Sequence, residues 1–154
     1  MSKETFLQLR QDLSRSYEIT GLTQEDMLGF TLEVEDGLPV NVYFDEIHDQ
    51  IVFFCGLGEV PEEQRAAVLE KAMGLNLFAA ATRGGALGFD AETHLLSLAR
   101  VVPALQFGLP AFQLELQQFA DTAWRTLTEI AALEKAADPA PDDGLPPPSH
   151  TIKV

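Results

Sequence analysis

Residues 28–58 read LGFTLEVEDGLPVNVYFDEIHDQIVFFCGLG, and the spacing of their apolar side chains decides the fold class. Phe30, Leu32 and Val34 alternate with Thr31, Glu33 and Glu35. A period of two places one set of side chains on one face of a half-buried strand. Asp36-Gly37 supplies the residues of a hairpin turn. Val40, Val42 and Phe44 then alternate with Asn41, Tyr43 and Asp45 in a second strand, and Glu46–Asp49 turns the chain again. Ile51–Cys55 is apolar at every position and so on both faces, the pattern of a central strand. Three strands joined by short turns form an antiparallel meander.

Working outward, Phe6, Leu9, Leu13 and Tyr17 recur at helical spacing and predict a helix from Thr5 to Tyr17, with Thr5 and Gln8 as a capping box and Gly21-Leu22-Thr23 closing the segment. On the other side Pro61 opens a second helix, with Glu62 and Glu63 in its electropositive first turn. Val68, Leu69, Ala72, Met73, Leu75 and Phe78 carry its apolar face to Ala80. Gly84-Gly85 breaks the chain before a hairpin of Ala86–Phe89 and Leu95–Val102, joined by Asp90-Ala91-Glu92-Thr93 and ended by Pro103. A last helix from Pro110 to Lys135 aligns Phe112, Leu116, Phe119, Ala123, Leu127 and Ile130, with Trp124 beside them. Residues 138–154, DPAPDDGLPPPSHTIKV, have the composition of a disordered tail. The predicted order is α-β-β-β-α-β-β-α. This is an α+β domain over residues 1–137, with a twisted, mainly antiparallel sheet flanked by helices.

Composition narrows the function. The chain carries 10 Lys+Arg against 24 Asp+Glu, for a net charge of -14. Such a surface repels a phosphate backbone or an anionic membrane, so neither nucleic acid nor membrane is an expected partner, and it favours basic or weakly charged ones. Cys55 is the one cysteine, which forbids an intrachain disulfide. Its apolar surroundings predict an inert buried thiol in a reducing compartment. The N-terminal MSKETFLQLRQDL has no continuous apolar run, so no signal peptide is expected, and no apolar stretch matches a bilayer.

Catalytic signatures are missing. His48 sits with Asp45, Glu46 and Asp49 in one turn, which reads as a solvated acidic loop rather than a metal site. His94 and His150 lack orienting partners in sequence. Gly56-Leu57-Gly58 lacks the third glycine and the βαβ setting of a dinucleotide loop. Neither a nucleophile elbow nor a phosphate-cradling loop is present. The expectation is a chain with no catalytic residues, metal or cofactor, and not an enzyme. Its apolar faces exceed the needs of one small core and point to a dimer interface or a partner's chain.

Residues 76–102, NLFAAATRGGALGFDAETHLLSLARVV, and above all Leu87-Gly88-Phe89-Asp90, resemble the class I type III secretion chaperones, the Tir-chaperone-like family. The resemblance spans about Thr5 to Lys135. It implies a homodimer in the cytoplasm of a Gram-negative bacterium that holds an effector's N-terminal segment extended and competent for secretion, with the secretion ATPase as a further partner. It places the dimer interface at Leu75, Phe78, Leu87, Phe89, Leu96 and Leu98. It places effector binding on the first helix and the meander, at Phe6, Leu9, Leu13, Phe30, Leu32, Val34, Val42 and Phe44, with Glu33 and Glu35 steering a basic segment. Two alternatives stay open: an adaptor of the same fold that sequesters a secretion or transcription regulator, and a small-molecule-binding α+β domain.

Overall fold

Ser2 starts the first helix, its Oγ accepting the Thr5 N–H at 3.2 Å. In the computed structural model, which describes residues 1–20, 28–34, 37–104 and 108–137, helix α1 therefore runs Lys3–Leu13. The cap is Ser2, not the predicted Thr5–Gln8 box, and Gln8 instead donates to Asp12 at 3.2 Å. The helix also stops a turn earlier than its apolar spacing predicts. Tyr17 lies beyond it, donating its N–H to the Leu13 carbonyl.

Strands β1 (Ile19–Thr20), β2 (Leu28–Val34), β3 (Leu38–Asp45), β4 (Gln50–Glu59), β5 (Ala86–Asp90) and β6 (Leu95–Pro103) form one antiparallel sheet in the order β1-β2-β3-β4-β6-β5. The meander, the hairpin and the α+β class are as the alternation and the apolar runs predict. Strand β1 is an addition, two residues long. The predicted breaker Gly21-Leu22-Thr23, Glu35, Asp36 of the predicted turn and the 138–154 tail lie outside the described residues. Strand β4 is central, with β3 on one side and β6 on the other.

Register assigns the faces. Phe30 stands opposite Val42, Val42 opposite Phe53, and Ile51 opposite Val102, so one face gathers the even positions of β2, β3 and β6 with the odd ones of β4. All three helices cover that face. Phe6 of α1 stacks on Phe44 with ring centroids 5.2 Å apart and lies 5.5 Å from Phe30. Helix α3 (Leu109–Ala137) sets Phe112 and Phe119 at 5.3 and 5.7 Å from Phe53. These tilted and stacked pairs join both helices to the three strands of the meander, each contributing about 0.5–1.5 kcal/mol beyond area burial. Thr122 and Thr126, buried on α3, donate their hydroxyls to the carbonyls of Gln118 and Thr122, four residues back. That satisfies groups whose burial would otherwise be costly.

Between the two sheet halves, Pro61 precedes a 3-10 turn (Glu62–Gln64) and helix α2 (Arg65–Asn76), which buries Val68 and Ala72. The predicted helix to Ala80 ends at Asn76. A second 3-10 turn follows, in which Phe78 and Ala79 take left-handed φ values of 60° and 51°. A helix cannot continue through that backbone conformation.

Candidate functional site

The two edges of the sheet differ. At the β5 edge, Asn76 faces Leu87. Its Oδ1 accepts the Leu87 N–H at 2.8 Å, and its Nδ2 donates to the Leu87 carbonyl at 3.0 Å. One carboxamide thus does for β5 what a neighbouring strand would do, and blunts the edge. Phe89, one pleat further, is half-buried and lies 5.8 Å from the Arg65 guanidinium. At the opposite edge β1 pairs only with Leu32 and Thr31, and Glu33 donates its N–H to the Glu18 carbonyl. Among the described residues, Leu28–Phe30 of β2 has no strand partner on that side.

Along that second edge, on the helix side, runs a groove of about 420 Å³ lined by Tyr17, Val34, Leu116, Gln117, Ala120, Asp121 and Trp124. Leu116, Ala120 and Trp124 fall four apart on α3 and so share one stripe, beside the core stripe of Phe112, Phe119 and Ala123. Trp124 is 36% exposed, and with Tyr17 it gives the groove two aromatic walls, each with a polar tip for a partner's backbone. Asp121 puts a carboxylate at its rim.

Of the side chains predicted to bind an effector, Phe6, Leu9, Leu13, Phe30, Leu32, Val42 and Phe44 are buried in the chain's own core. Val34 alone is half-buried, and it lines the groove. Glu33 is exposed on the other face of the sheet, and Glu35 lies outside the described residues. Of the side chains predicted for a dimer interface, Leu87, Leu96 and Leu98 are buried in the same core. Leu75 and Phe89 are half-buried, and Phe78 is 90% exposed. Met73 and Leu77 stand exposed beside it in sequence, at the end of α2. Tyr17, Asn76 and Trp124 were not singled out as site residues by spacing, because their roles depend on elements distant in sequence.

Ionisable groups are engaged structurally. Arg100 reaches from β6 to Glu115 of α3 at 2.9 Å, mostly buried on the helix side. The Asp45 carboxyl lies below its ordinary range because the His48 ring and backbone hydrogen-bond to it. Asp90 is lowered in the same way by the Thr93 hydroxyl and the Glu92 N–H. Burial pushes the Cys55 thiol up to about 11.

The family model described as the Tir chaperone protein (CesT) family matches residues 8–126. No curated relative matches the sequence. Among solved structures, the chain is similar to one from the HopA1–SchA chaperone–effector complex, at 14% identity and TM-score 0.57, covering 82% of this chain and 92% of that one. It is similar to one from the ExsC–ExsE complex at 15% identity and TM-score 0.57, covering 80% and 90%. YbjN, a putative transcription regulator from E. coli, shares the fold at 20% identity and TM-score 0.60, covering 87% and 94%.

Proposed function

The chain belongs to the Tir chaperone protein (CesT) family, and from that premise we propose that it is a type III secretion chaperone acting as a homodimer in the cytoplasm of a Gram-negative bacterium. It binds the N-terminal segment of an effector in extended form, keeps that segment soluble and competent for secretion, and makes or breaks no covalent bond. The observation that carries this reading is the asymmetry of the sheet edges. Asn76 closes the β5 edge, whereas the β2 edge has a two-residue partner and an aromatic-walled groove beside it. An extended client satisfies its backbone on that edge and seats alternate side chains in the groove. Ordering such a client is costly, so the contact has to run further than one groove, and a dimer doubles the length of the path.

The dimer contact in this proposal is the apolar end of α2, where Met73, Leu77 and Phe78 are exposed together. No helix among the described residues is long and apolar enough to cross a membrane, which accords with a cytoplasmic site of action. Delivery to the secretion ATPase is the further step the reading assigns to the loaded complex.

The test is co-expression with candidate effectors, followed by light scattering and hydrogen exchange. The expected mass of the free protein is twice the 16.9 kDa chain. Client amides should gain protection in an alternating pattern, together with the Gly29 amide of the chaperone, which faces the same side of β2 as the Glu33 N–H bonded to Glu18. A strict monomer that protects no effector amide overturns the proposal.

A further inference from the structure

All three helices lie on one face of the sheet, and no described element covers the other. An antiparallel face left to water ordinarily carries polar side chains. Here the register brings Tyr43, Val52 and Val101 into one cross-strand row, and Thr31, Asn41, Phe54 and Ala99 into the next. Leu95 lies on the same face, and Val101 is 52% exposed. The part of the open face on β4 and β6 is therefore largely apolar, while Thr31 and Asn41 beside it on β2 and β3 spend their polarity on each other, 2.7 Å apart.

Its margin is acidic. The outward positions include Glu33 on β2, Asp45 on β3, Glu59 on β4 and Asp90 on β5, all at or near strand ends. No lysine or arginine occupies an outward position of the described strands. Two copies stacked through this face would bring their carboxylates together, so the charge pattern disfavours a second copy and favours a cationic partner.

Glycine usage adds an independent point. Gly29 is explained within the chain: a Cβ there would stand 2.7 Å from the Tyr43 ring and 3.0 Å from the Val42 carbonyl oxygen. Gly56 sits where the β4–β6 register shifts, which accounts for it within the chain; Gly88, also facing outward, has no such account. A Cβ on Gly88 would meet its nearest neighbour at an ordinary 3.6 Å, and its φ is not left-handed. A residue other than glycine would serve the strand better there.

We propose that this open face docks an amphipathic, lysine- or arginine-flanked helix of the client, with its apolar stripe over Val52, Phe54 and Val101 and its cations against Glu33, Asp45, Glu59 and Asp90. The inference rests on the chaperone reading and extends it. The extended part of the client runs along the β2 edge, and a helical part lies on the exposed sheet. Bare backbone at Gly56 and Gly88 lets the helix settle close.

The experiment titrates the full-length, isotope-labelled protein with a synthetic leucine–lysine peptide bearing one apolar stripe, and with its leucine–glutamate counterpart. Amide shifts are expected at Tyr43, Phe54, Ala99 and Val101 with the lysine peptide and not with the glutamate one. Gly88→Val should weaken binding roughly tenfold while holding or raising the unfolding temperature, because valine suits a strand better than glycine. Val101→Glu, on an exposed side chain, provides a second variant that should fold and bind poorly. Shifts confined to the β2 edge or the end of α2, equal binding of both peptides, or full affinity in both variants overturn the proposal. A lysine peptide that binds this face while no client amide is protected along β2 would sustain this inference and sink the extended-segment reading; the reverse pattern would do the opposite.

Discussion

The side-chain amide of Asn76 and the backbone of Leu87 exchange two hydrogen bonds, 2.8 and 3.0 Å long, across a gap where a sheet would otherwise invite another strand. The pairing fixes the end of α2 to the edge of β5. The helix itself ends one residue on, where Leu77 leaves the helical region at φ -62°, ψ 120°.

Asn76→Ala should lower stability by about 1–2 kcal/mol, the value of two partly exposed hydrogen bonds, or roughly 2–8 °C in unfolding temperature. It should also promote concentration-dependent association, since the β5 edge becomes a free template. Thermal unfolding and sedimentation at several concentrations read both effects. An unchanged unfolding temperature would show that the amide contributes nothing to the fold.

Gly29→Ala should cost about 1–3 kcal/mol, because the new methyl meets the Tyr43 ring and the fixed carbonyl of Val42 together. Combining it with Tyr43→Ala should relieve only the ring contact and leave the carbonyl contact. A double-mutant cycle by denaturant unfolding measures the coupling. Additive effects would mean that the ring moves aside freely.

Phe78 combines a left-handed backbone with 90% exposure. A bulky residue pays for that conformation with strain of order 1–3 kcal/mol, which the protomer alone does not require. Phe78→Asn, a residue that tolerates the left-handed region, should raise protomer stability at low concentration and weaken dimerisation. Light scattering across a dilution series and thermal unfolding at the lowest concentration separate the two. A fall in protomer stability would place the phenyl ring inside the chain's own packing.

Cys55 should resist thiol reagents at pH 8 in the native protein and react once denatured, because burial holds its thiol neutral. The sign of the linkage follows. The folded-state pKa, about 11, lies above the ordinary value of 9.0, so the contribution to stability is complete below about pH 9 and declines as the pH rises towards 11. Cys55→Ala should remove that alkaline slope in a pH series of denaturant melts. Rapid native labelling at pH 8 would contradict the burial argument.

Sheet architecture is legible because period-two alternation survives in β2 and β3, short apolar runs mark β4 and the β5–β6 hairpin, and turn residues mark their ends. Strand β1 was not, since Ile19–Thr20 is too short to show a period. Helix α2 was overextended because Phe78 continues the 3.6-residue spacing, while its backbone conformation leaves no trace in composition. At the candidate site the apolar residues were visible but their direction was not. Phe6, Leu9 and Leu13 occupy one helical stripe whether it faces a core or a partner, and only packing against Phe30 and Phe44 decides. Trp124 is visible beside the apolar stripe of the last helix, but its groove is not, because that needs Tyr17 and Val34 from distant parts of the chain.

The pairing of β4 with β6 has a kinetic consequence. Ile51 faces Val102, so the centre of the sheet joins two pieces that can each assemble from neighbouring residues: the meander and the late hairpin. Closing the long intervening loop costs chain entropy before any seam contact forms. We expect the docking of these halves, rather than the formation of either, to limit the folding rate. Truncating Val101 or Val102 should then slow refolding more than it speeds unfolding.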